Sequence, residues 1–95
     1  MRVEWSRRAK YALRVRVEFL ERKNPRAAAE MEAVVRGASA RLADFPNIGR
    51  RSGESSSQLR ELLVPFGSEG YVVQYAVTRD FVLITNMKHQ REAGY

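Results

Sequence analysis

The chain has no cysteine and only one histidine, His89. The absence of cysteine excludes disulfides and thiolate metal sites, and it suits the cytoplasm, where we expect the protein to be located. No apolar run approaches the ~20 residues that a membrane-spanning helix needs. Arg7, Arg8 and Lys10 interrupt the N-terminal region before the apolar segment of a signal peptide can form. We therefore expect a soluble protein with no membrane contact, no bound metal and no cofactor.

Lysine is also scarce, since only three of the 17 basic residues are lysine and the others are arginine. The formal net charge of +6 favours an acidic partner, either a nucleic acid or an acidic protein. Arginine suits bidentate contacts with phosphate or carboxylate groups. A GC-rich coding bias toward arginine codons would give the same ratio of arginine to lysine without altering the charge.

The length of 95 residues predicts a single domain, 1–95, with a small core. Polar and apolar residues alternate over Arg2–Trp5, which predicts a short first strand. Ser6 is a suitable N-cap for a helix over about 7–22. Asn24 can cap a second helix over about 25–43, with proline at its first position. Residues 6–45 are therefore predicted to form an αα-hairpin.

The first predicted helix has an apolar face that is wider than a single packing contact requires. Leu13, Val17 and Leu20 lie on one stripe of this face, and we expect the helix to pack against two elements: a sheet and another helix, or a sheet and a partner chain. The second predicted helix has an apolar seam suited to antiparallel helix packing, with Gly37 in its middle. A close approach of the two helices would explain this glycine.

The last third of the chain alternates strand-like runs with turn residues. A loop over 46–58 contains Arg50 and Arg51 and is rich in serine after them. Short connections then predict a three-stranded antiparallel meander between about 59 and 88. Its predicted strands cover 59–64, which Pro65 ends, then 71–77 after a turn over 67–70, and 81–87. A functional tail is predicted over 88–95.

Several short motifs occur in a characteristic order along nearly the whole chain. They are Trp5-Ser6 with Ala9, Asn24-Pro25 with Ala27-Ala28, Leu42, Pro46 with Gly49-Arg50, Leu59-Arg60-Glu61-Leu62, Tyr71-Val72-Val73-Gln74-Tyr75 and His89-Gln90-Arg91-Glu92-Ala93-Gly94-Tyr95. This arrangement resembles the RelE/ParE superfamily of toxins from bacterial type II toxin–antitoxin systems. The resemblance implies an α+β fold: an N-terminal strand, an αα-hairpin and a three-stranded antiparallel meander.

The resemblance also implies a partner. Toxins of this kind are neutralised by a small antitoxin, often through an acidic extended or helical segment, in a hetero-oligomeric complex. That expectation agrees with the positive net charge and with the wide apolar face of the first helix. Leu13, Val17 and Leu20 are therefore the predicted antitoxin-binding residues.

Two mechanisms occur within the superfamily, so the sequence leaves open whether this chain is an enzyme. ParE-like members bind DNA gyrase and trap its cleaved complex with DNA. RelE-like members cleave mRNA in the ribosomal A site without a metal, using basic residues for proton transfer and phosphate stabilisation. A basic nucleic-acid-binding module without toxicity is a third reading.

The tail carries the residue types that an RNase mechanism needs. The resemblance implies His89 as the proton-transfer residue, Arg91 as a phosphate clamp and Tyr95 as a catalytic or stacking residue, with Arg60 nearby across the sheet. RelE-type sequences have an arginine in the turn before Tyr71, where this chain has glycine and serine. This difference favours the gyrase mechanism.

The basic residues of the loop and the last strand are the candidates for target binding. They are Arg50, Arg51, Arg60, Lys88, His89 and Arg91. Each candidate residue also has a structural reading. In that reading the single histidine is only a hydrogen-bonding residue at a strand end, Arg60 is the partner of a surface carboxylate, and Tyr95 is a frayed terminus. Trp5, Tyr71 and Tyr75 are better explained as core residues than as platforms for nucleobases.

Overall fold

The computed structural model describes residues 1–53 and 58–92. Its elements are strand β1 (Arg2–Trp5), helices α1 (Arg7–Glu21) and α2 (Pro25–Ala40), a 3-10 turn (Arg41–Ala43), and strands β2 (Arg50–Arg51), β3 (Leu59–Phe66), β4 (Glu69–Val77) and β5 (Phe81–His89). The predicted α+β class, with an N-terminal strand, a helical hairpin and a meander, is confirmed. In the described part of the chain, no helix is both long and apolar enough to cross a membrane.

Both helices begin where their capping residues predict. The Ser6 hydroxyl accepts a hydrogen bond from the Ala9 N–H at 3.0 Å, and the Asn24 side chain accepts one from the Ala27 N–H at 3.1 Å. These contacts satisfy amide groups that have no partner within the first turn of a helix. The second helix ends three residues earlier than predicted, and a 3-10 turn replaces its last residues.

The five strands form one sheet in the order β1-β5-β4-β3-β2. β1 is parallel to β5, and the other neighbours are antiparallel. The basic start of the loop at 46–58 was expected to be irregular, but Arg50 and Arg51 form β2 and pair with Glu61 and Arg60. The expected Ser-rich part of that loop lies largely outside the described residues.

Pro65 does not end its strand, contrary to expectation, because β3 continues to Phe66. The Gly70 carbonyl accepts the Gln90 N–H at 3.0 Å, so the backbone groups of Gly70 point toward β5. Pro65 lies opposite Gly70, and its nitrogen therefore points away from β4, where no donor is needed. The turn is accordingly shorter than predicted, with Gly67 at φ +61° followed by one serine.

A β-bulge in β5 decides which of its side chains enter the core. Tyr75 lies opposite Ile84 and Gln74 lies opposite Asn86, so Thr85 is an extra residue between them. Strict alternation would send Ile84 and Met87 to opposite faces, but both are buried in the same core cluster. The bulge thus also turns His89 toward the helical side of the sheet.

The helical hairpin covers one face of the sheet and forms the core with it. Fully buried side chains at the centre are Met31, Val35, Leu42, Val73, Tyr75, Val82 and Ile84. Trp5 and Tyr71 are partly buried and pack against this cluster, in agreement with their expected core roles. The explanation offered for Gly37 is wrong, since a Cβ there would meet no atom within 4 Å.

Candidate functional site

The six predicted target-binding residues separate into two groups. Arg60 pairs with Tyr75 across β3 and β4, whereas His89 pairs with Tyr71 across β5 and β4. The two tyrosines are four residues apart, which corresponds to about 13 Å along a strand at ~3.3 Å per residue. The expectation that Arg60 lies near His89 is therefore wrong. Tyr95 lies outside the described residues.

The predicted tail begins later than expected, because the last strand continues through Lys88 and His89. Lys88 pairs with Val72 and, as the neighbour of His89 in a strand, points to the opposite face of the sheet. The chain leaves the sheet only after His89. The two residues therefore cannot act together on one ligand from the same face.

We call the group formed by Glu69, Tyr71, His89, Arg91 and Glu92 the tail cluster. Glu69 is its central anion, since one carboxylate oxygen accepts from His89 Nε2 at 2.7 Å and the other pairs with the Arg91 guanidinium. Glu92 accepts the His89 backbone N–H at 2.9 Å. The Glu69 carboxylate thus lies directly against Arg91, which was predicted to contact a phosphate, and against the ring of His89.

Both ring nitrogens of His89 are engaged within the protein. The Arg91 backbone N–H donates to Nδ1 at 3.2 Å, which requires this nitrogen to be without a proton. The proton of the neutral ring then lies on Nε2, facing Glu69. The Tyr71 ring contacts the imidazole edge-on, with 5.7 Å between ring centroids. These contacts fix the position and the tautomer of His89.

Helix α1 also holds the tail cluster. Arg16 forms an ion pair with Glu92, which lies 76 residues further along the chain. Burial raises the pKa of the Tyr71 hydroxyl, an effect that the Arg16 charge opposes and the Glu69 charge reinforces. The predicted functional tail is thus tied to both α1 and β4.

The second group of basic residues supports the loop before β2. Arg60 was read as the possible partner of a surface carboxylate, but its guanidinium donates to the carbonyl oxygens of Gly49 at 2.8 Å and Asn47 at 3.3 Å. Arg50 donates to the Glu61 carboxylate at 3.2 Å. At least two of the predicted target-binding arginines therefore have partners within the fold.

Tyr75, which is buried in the core, also supports the loop before β2. Its hydroxyl accepts the Gly49 N–H at 2.9 Å, although the tyrosine and the glycine are 26 residues apart. Burial raises the pKa of Tyr75, and the Gly49 N–H and the Arg60 charge oppose part of that rise. Sequence reasoning missed this contact, because no local pattern relates a strand tyrosine to a distant loop glycine.

The raised pKa of Tyr75 predicts a loss of stability at alkaline pH. An unfolded tyrosine ionises near about pH 10, whereas the buried one ionises at higher pH. The resulting stabilisation is fully present below about pH 10 and is lost as the pH rises toward the folded pKa. We expect Tyr75→Phe to unfold at lower urea concentration at neutral pH, but to lose less stability than wild type between about pH 9 and pH 11. Tyr11→Phe, at an exposed tyrosine, is the control and should show the same dependence of stability on pH as wild type. If Tyr75→Phe also showed the wild-type dependence, Tyr75 would not be the source of the loss of stability at alkaline pH.

The three residues predicted to bind the antitoxin lie on the side of α1 that packs against the core. Leu13 is buried at 3% exposure, and Val17 and Leu20 pack partly buried against the core. The large apolar side chains that α1 exposes are Tyr11, Val15 and Phe19. Their i, i+4, i+8 spacing places these three residues on one face of the helix, and this spacing can be read from the sequence.

Within residues 1–53 and 58–92, no three His, Cys, Asp or Glu side chains come together as a metal site would require. The tail cluster offers ion pairs and hydrogen bonds, and its two carboxylates are each bound to a cation. The charges of this surface cluster are therefore neutralised by contacts within the protein.

Comparisons with known proteins agree over nearly the whole chain. The family model described as "ParE toxin of type II toxin-antitoxin system, parDE" matches residues 3–94. Toxin RelE3 of Caulobacter vibrioides is 36% identical over 90 residues, covering 95% of each chain. Toxin RelE1 of the same organism is 32% identical over 85 residues, covering 90% of this chain and 88% of the relative.

A solved structure supports the fold independently. The fold of this chain is similar to that of a chain in the solved structure described as "Chromosomal ParDE TA system from P. aeruginosa", with a TM-score of 0.77. The match covers 94% of this chain and 95% of the other, at 16% sequence identity.

Proposed function

The chain belongs to the ParE toxin family of type II toxin–antitoxin systems, and we propose that it inhibits growth by binding DNA gyrase, without acting as an enzyme. A cognate antitoxin would neutralise it in a hetero-oligomeric complex in the cytoplasm. The observation that carries the proposal is the engagement of both ring nitrogens of His89.

RNA cleavage without a metal needs a group that can accept a proton and a group that can donate one next to the reacting phosphate. His89 is the only histidine of the chain. Its Nδ1 faces the Arg91 N–H and its Nε2 faces Glu69, so neither nitrogen is directed at a substrate. Glu69 and Glu92 in addition neutralise Arg91 and Arg16, which weakens the attraction of these arginines for a phosphate.

The turn between β3 and β4 supports the same proposal. It consists of Gly67 and Ser68, so no arginine stands where RelE-type sequences have one. Arg91 pairs with Glu69 rather than extending alone from the surface. The phosphate-binding charge expected of a nuclease is therefore balanced within the tail cluster.

Arg50 and Arg51 are the members of the predicted target-binding set that we propose first for contact with gyrase. Both are exposed on β2, at one edge of the sheet. Arg50 pairs with Glu61, and Arg60, His89 and Arg91 also have structural contacts that a target would have to replace. In this proposal Arg60, His89 and Arg91 mainly maintain the fold around the binding surface.

The second candidate function is ribosome-dependent mRNA cleavage, because two similar proteins carry the name RelE. In that case His89, Arg91, Tyr95 and Arg60 would be the residues to consider, as the resemblance implied. The separation of Arg60 from His89 then leaves the phosphate contacts to Arg91 and to residues beyond the described part.

The test is to express the chain without antitoxin and to compare wild type with His89→Gln. Glutamine can still donate a hydrogen bond to Glu69, but it cannot transfer protons as imidazole does. We expect wild type and His89→Gln to cause the same filamentation and DNA damage, and to inhibit purified gyrase equally in a plasmid supercoiling assay.

Arg51→Glu is the matched variant on the proposed binding surface, and it should weaken gyrase inhibition about tenfold, since it places like charge against an acidic target surface. Primer extension on cellular mRNA gives the opposing readout. Cuts in the ribosomal A site that disappear in His89→Gln, with intact DNA, would establish the RNase function instead.

A further inference from the structure

The outward side of α1 carries an apolar stripe that the fold leaves uncovered, and we call Tyr11, Val15 and Phe19 the outer stripe. These side chains are 60%, 40% and 56% exposed, and their spacing places them side by side along the helix. Among the described residues, none of the three belongs to the core cluster or packs partly buried against it. Contiguous exposed apolar side chains of this size are typical of a surface that binds a protein.

The charges of α1 are arranged against its helix dipole. Its first half carries cations and its second half carries anions, namely Arg7, Arg8, Lys10 and Arg14, then Glu18 and Glu21. The first turn contains no acidic residue, and the last turn contains no basic residue. A helix favours anions near its N-terminus and cations near its C-terminus. The order of charges over residues 7–21 is therefore unfavourable within a single chain.

The charged side chains beside the outer stripe are not paired with each other. Arg7, Arg14, Glu18 and Glu21 lie on one flank of the stripe, within about 60–120° of Val15 around the helix axis. The ion pairs recorded for the described residues include none of these four. The Arg14 guanidinium instead lies 5.8 Å from the centre of the Tyr11 ring. The flank therefore presents both signs of charge to a partner.

We infer that this side of α1 binds a second copy of the chain, with the two α1 helices antiparallel about a two-fold axis at Val15. Tyr11 and Phe19 lie four residues to either side of Val15. Each Tyr11 would therefore pack against the partner's Phe19. A two-fold axis forms every contact twice, so such a surface has to be complementary to itself.

The charges of the flank have this self-complementarity. In the antiparallel pair, Arg14 lies about 3 Å along the helix axis from the level of the partner's Glu18, and Arg7 has the same offset from the partner's Glu21. The two-fold axis keeps the same flank of both helices on the same side of the contact. Opposite charges therefore face each other twice in each pair, and the order that is unfavourable in one helix becomes favourable between two.

Two features limit the affinity of this dimer. Arg8 and Arg22 would face each other at both ends of the contact, and the net charge of +6 repels a second copy. A contact of about four helical turns also lies at the low end of protein interface sizes, near ~1,200 Å² of total buried area. We therefore expect a reversible dimer with a Kd on the order of 10–100 μM.

Disulfide cross-linking tests the arrangement, because the chain has no cysteine of its own. Val15→Cys places a thiol beside the two-fold axis. Val34→Cys on α2 is the matched control, since these valines are 40% and 41% exposed. At about 100 μM protein and under mild oxidation, we expect Val15→Cys to form a covalent dimer at least about tenfold faster than the control. Equal rates for the two variants would overturn the inference.

The direction of the helices is tested with cysteines at the ends of the outer stripe. A mixture of Tyr11→Cys and Phe19→Cys should give mainly the mixed covalent dimer, because each position faces the other across the two-fold axis. Tyr11→Cys that cross-links to itself as fast as it does to Phe19→Cys would contradict the antiparallel arrangement.

A charge exchange tests the self-complementarity by sedimentation equilibrium. Arg14→Glu and Glu18→Arg should each weaken association about tenfold, because each places like charges across the contact. The double variant Arg14→Glu/Glu18→Arg restores opposite charges and should associate as wild type does. Arg26→Glu, at an exposed position of α2, makes the same change of net charge as Arg14→Glu and should not weaken the dimer.

Circular dichroism checks that the variants remain folded, as expected for substitutions at exposed positions. A double variant that associates as weakly as the single variants would overturn the inference. So would a wild-type chain that remains monomeric up to about 1 mM, since the outer stripe would then be a surface for a protein of different sequence.

Discussion

Replacing Gly49 with alanine is expected to lower the free energy of unfolding by about 2–3 kcal/mol. A Cβ at this position would lie 2.6 Å from the Tyr75 hydroxyl oxygen and 2.8 Å from the Glu61 carbonyl oxygen. The Glu61 atom belongs to the backbone of a paired strand and cannot turn aside. The loop would have to move away, which would strain the hydrogen bonds that Gly49 makes with Tyr75 and Arg60.

Thermal unfolding followed by circular dichroism measures this effect. For a domain of this size, each kcal/mol corresponds to a shift of about 4–8 °C in Tm, so Gly49→Ala should unfold roughly 10–20 °C below wild type. Gly37→Ala is the matched control, because its added Cβ meets no atom within 4 Å. Since alanine favours a helix over glycine by about 0.5–1 kcal/mol, the control should raise Tm. A wild-type Tm for Gly49→Ala would contradict the described loop packing.

Leu13→Ala is expected to destabilise the protein by about 2–5 kcal/mol, because it removes a buried side chain and leaves a cavity. Leu13 is 3% exposed within the core cluster. Phe19→Ala on the same helix provides the comparison, since that side chain is 56% exposed. It should change stability by no more than about 0.5 kcal/mol, as is usual for surface substitutions.

Urea unfolding of the two variants measures the difference directly. A large loss in Phe19→Ala, or a small one in Leu13→Ala, would reverse the assignment of the two faces of α1. The assignment matters for function, because a core residue cannot be mutated to test partner binding without also unfolding the chain. Variants that test whether α1 binds a partner should therefore use exposed positions such as Tyr11, Val15 and Phe19.

The tail cluster changes the meaning of the C-terminal sequence. His89 and Arg91 resemble catalytic residues when read along the chain, since both can contact a phosphate. In the fold, Glu69 lies opposite them at the start of β4, and Glu92 folds back toward Arg16. Because its charges are paired within the fold, the tail cluster is suited to holding the end of β5 in place.

The sequence by itself determined the order and kind of most elements. The caps at Ser6 and Asn24 defined both helix starts, because a capping side chain acts on amides only two or three residues away. Short turns predicted the antiparallel meander, since a strand that returns after a few residues must lie beside its predecessor. The motifs spread along the chain were sufficient for the family resemblance.

The tertiary structure alone decided which faces are open and which charges are paired. Thr85 forms a bulge that alternation does not predict, and this bulge sets the side of the sheet on which His89 lies. Arg16 meets Glu92, and Tyr75 meets Gly49, across 76 and 26 residues. Periodicity shows that a helix or strand has an apolar face, but not what covers it. Long-range pairing depends on strand register and helix packing, which arise only when the whole sheet is assembled.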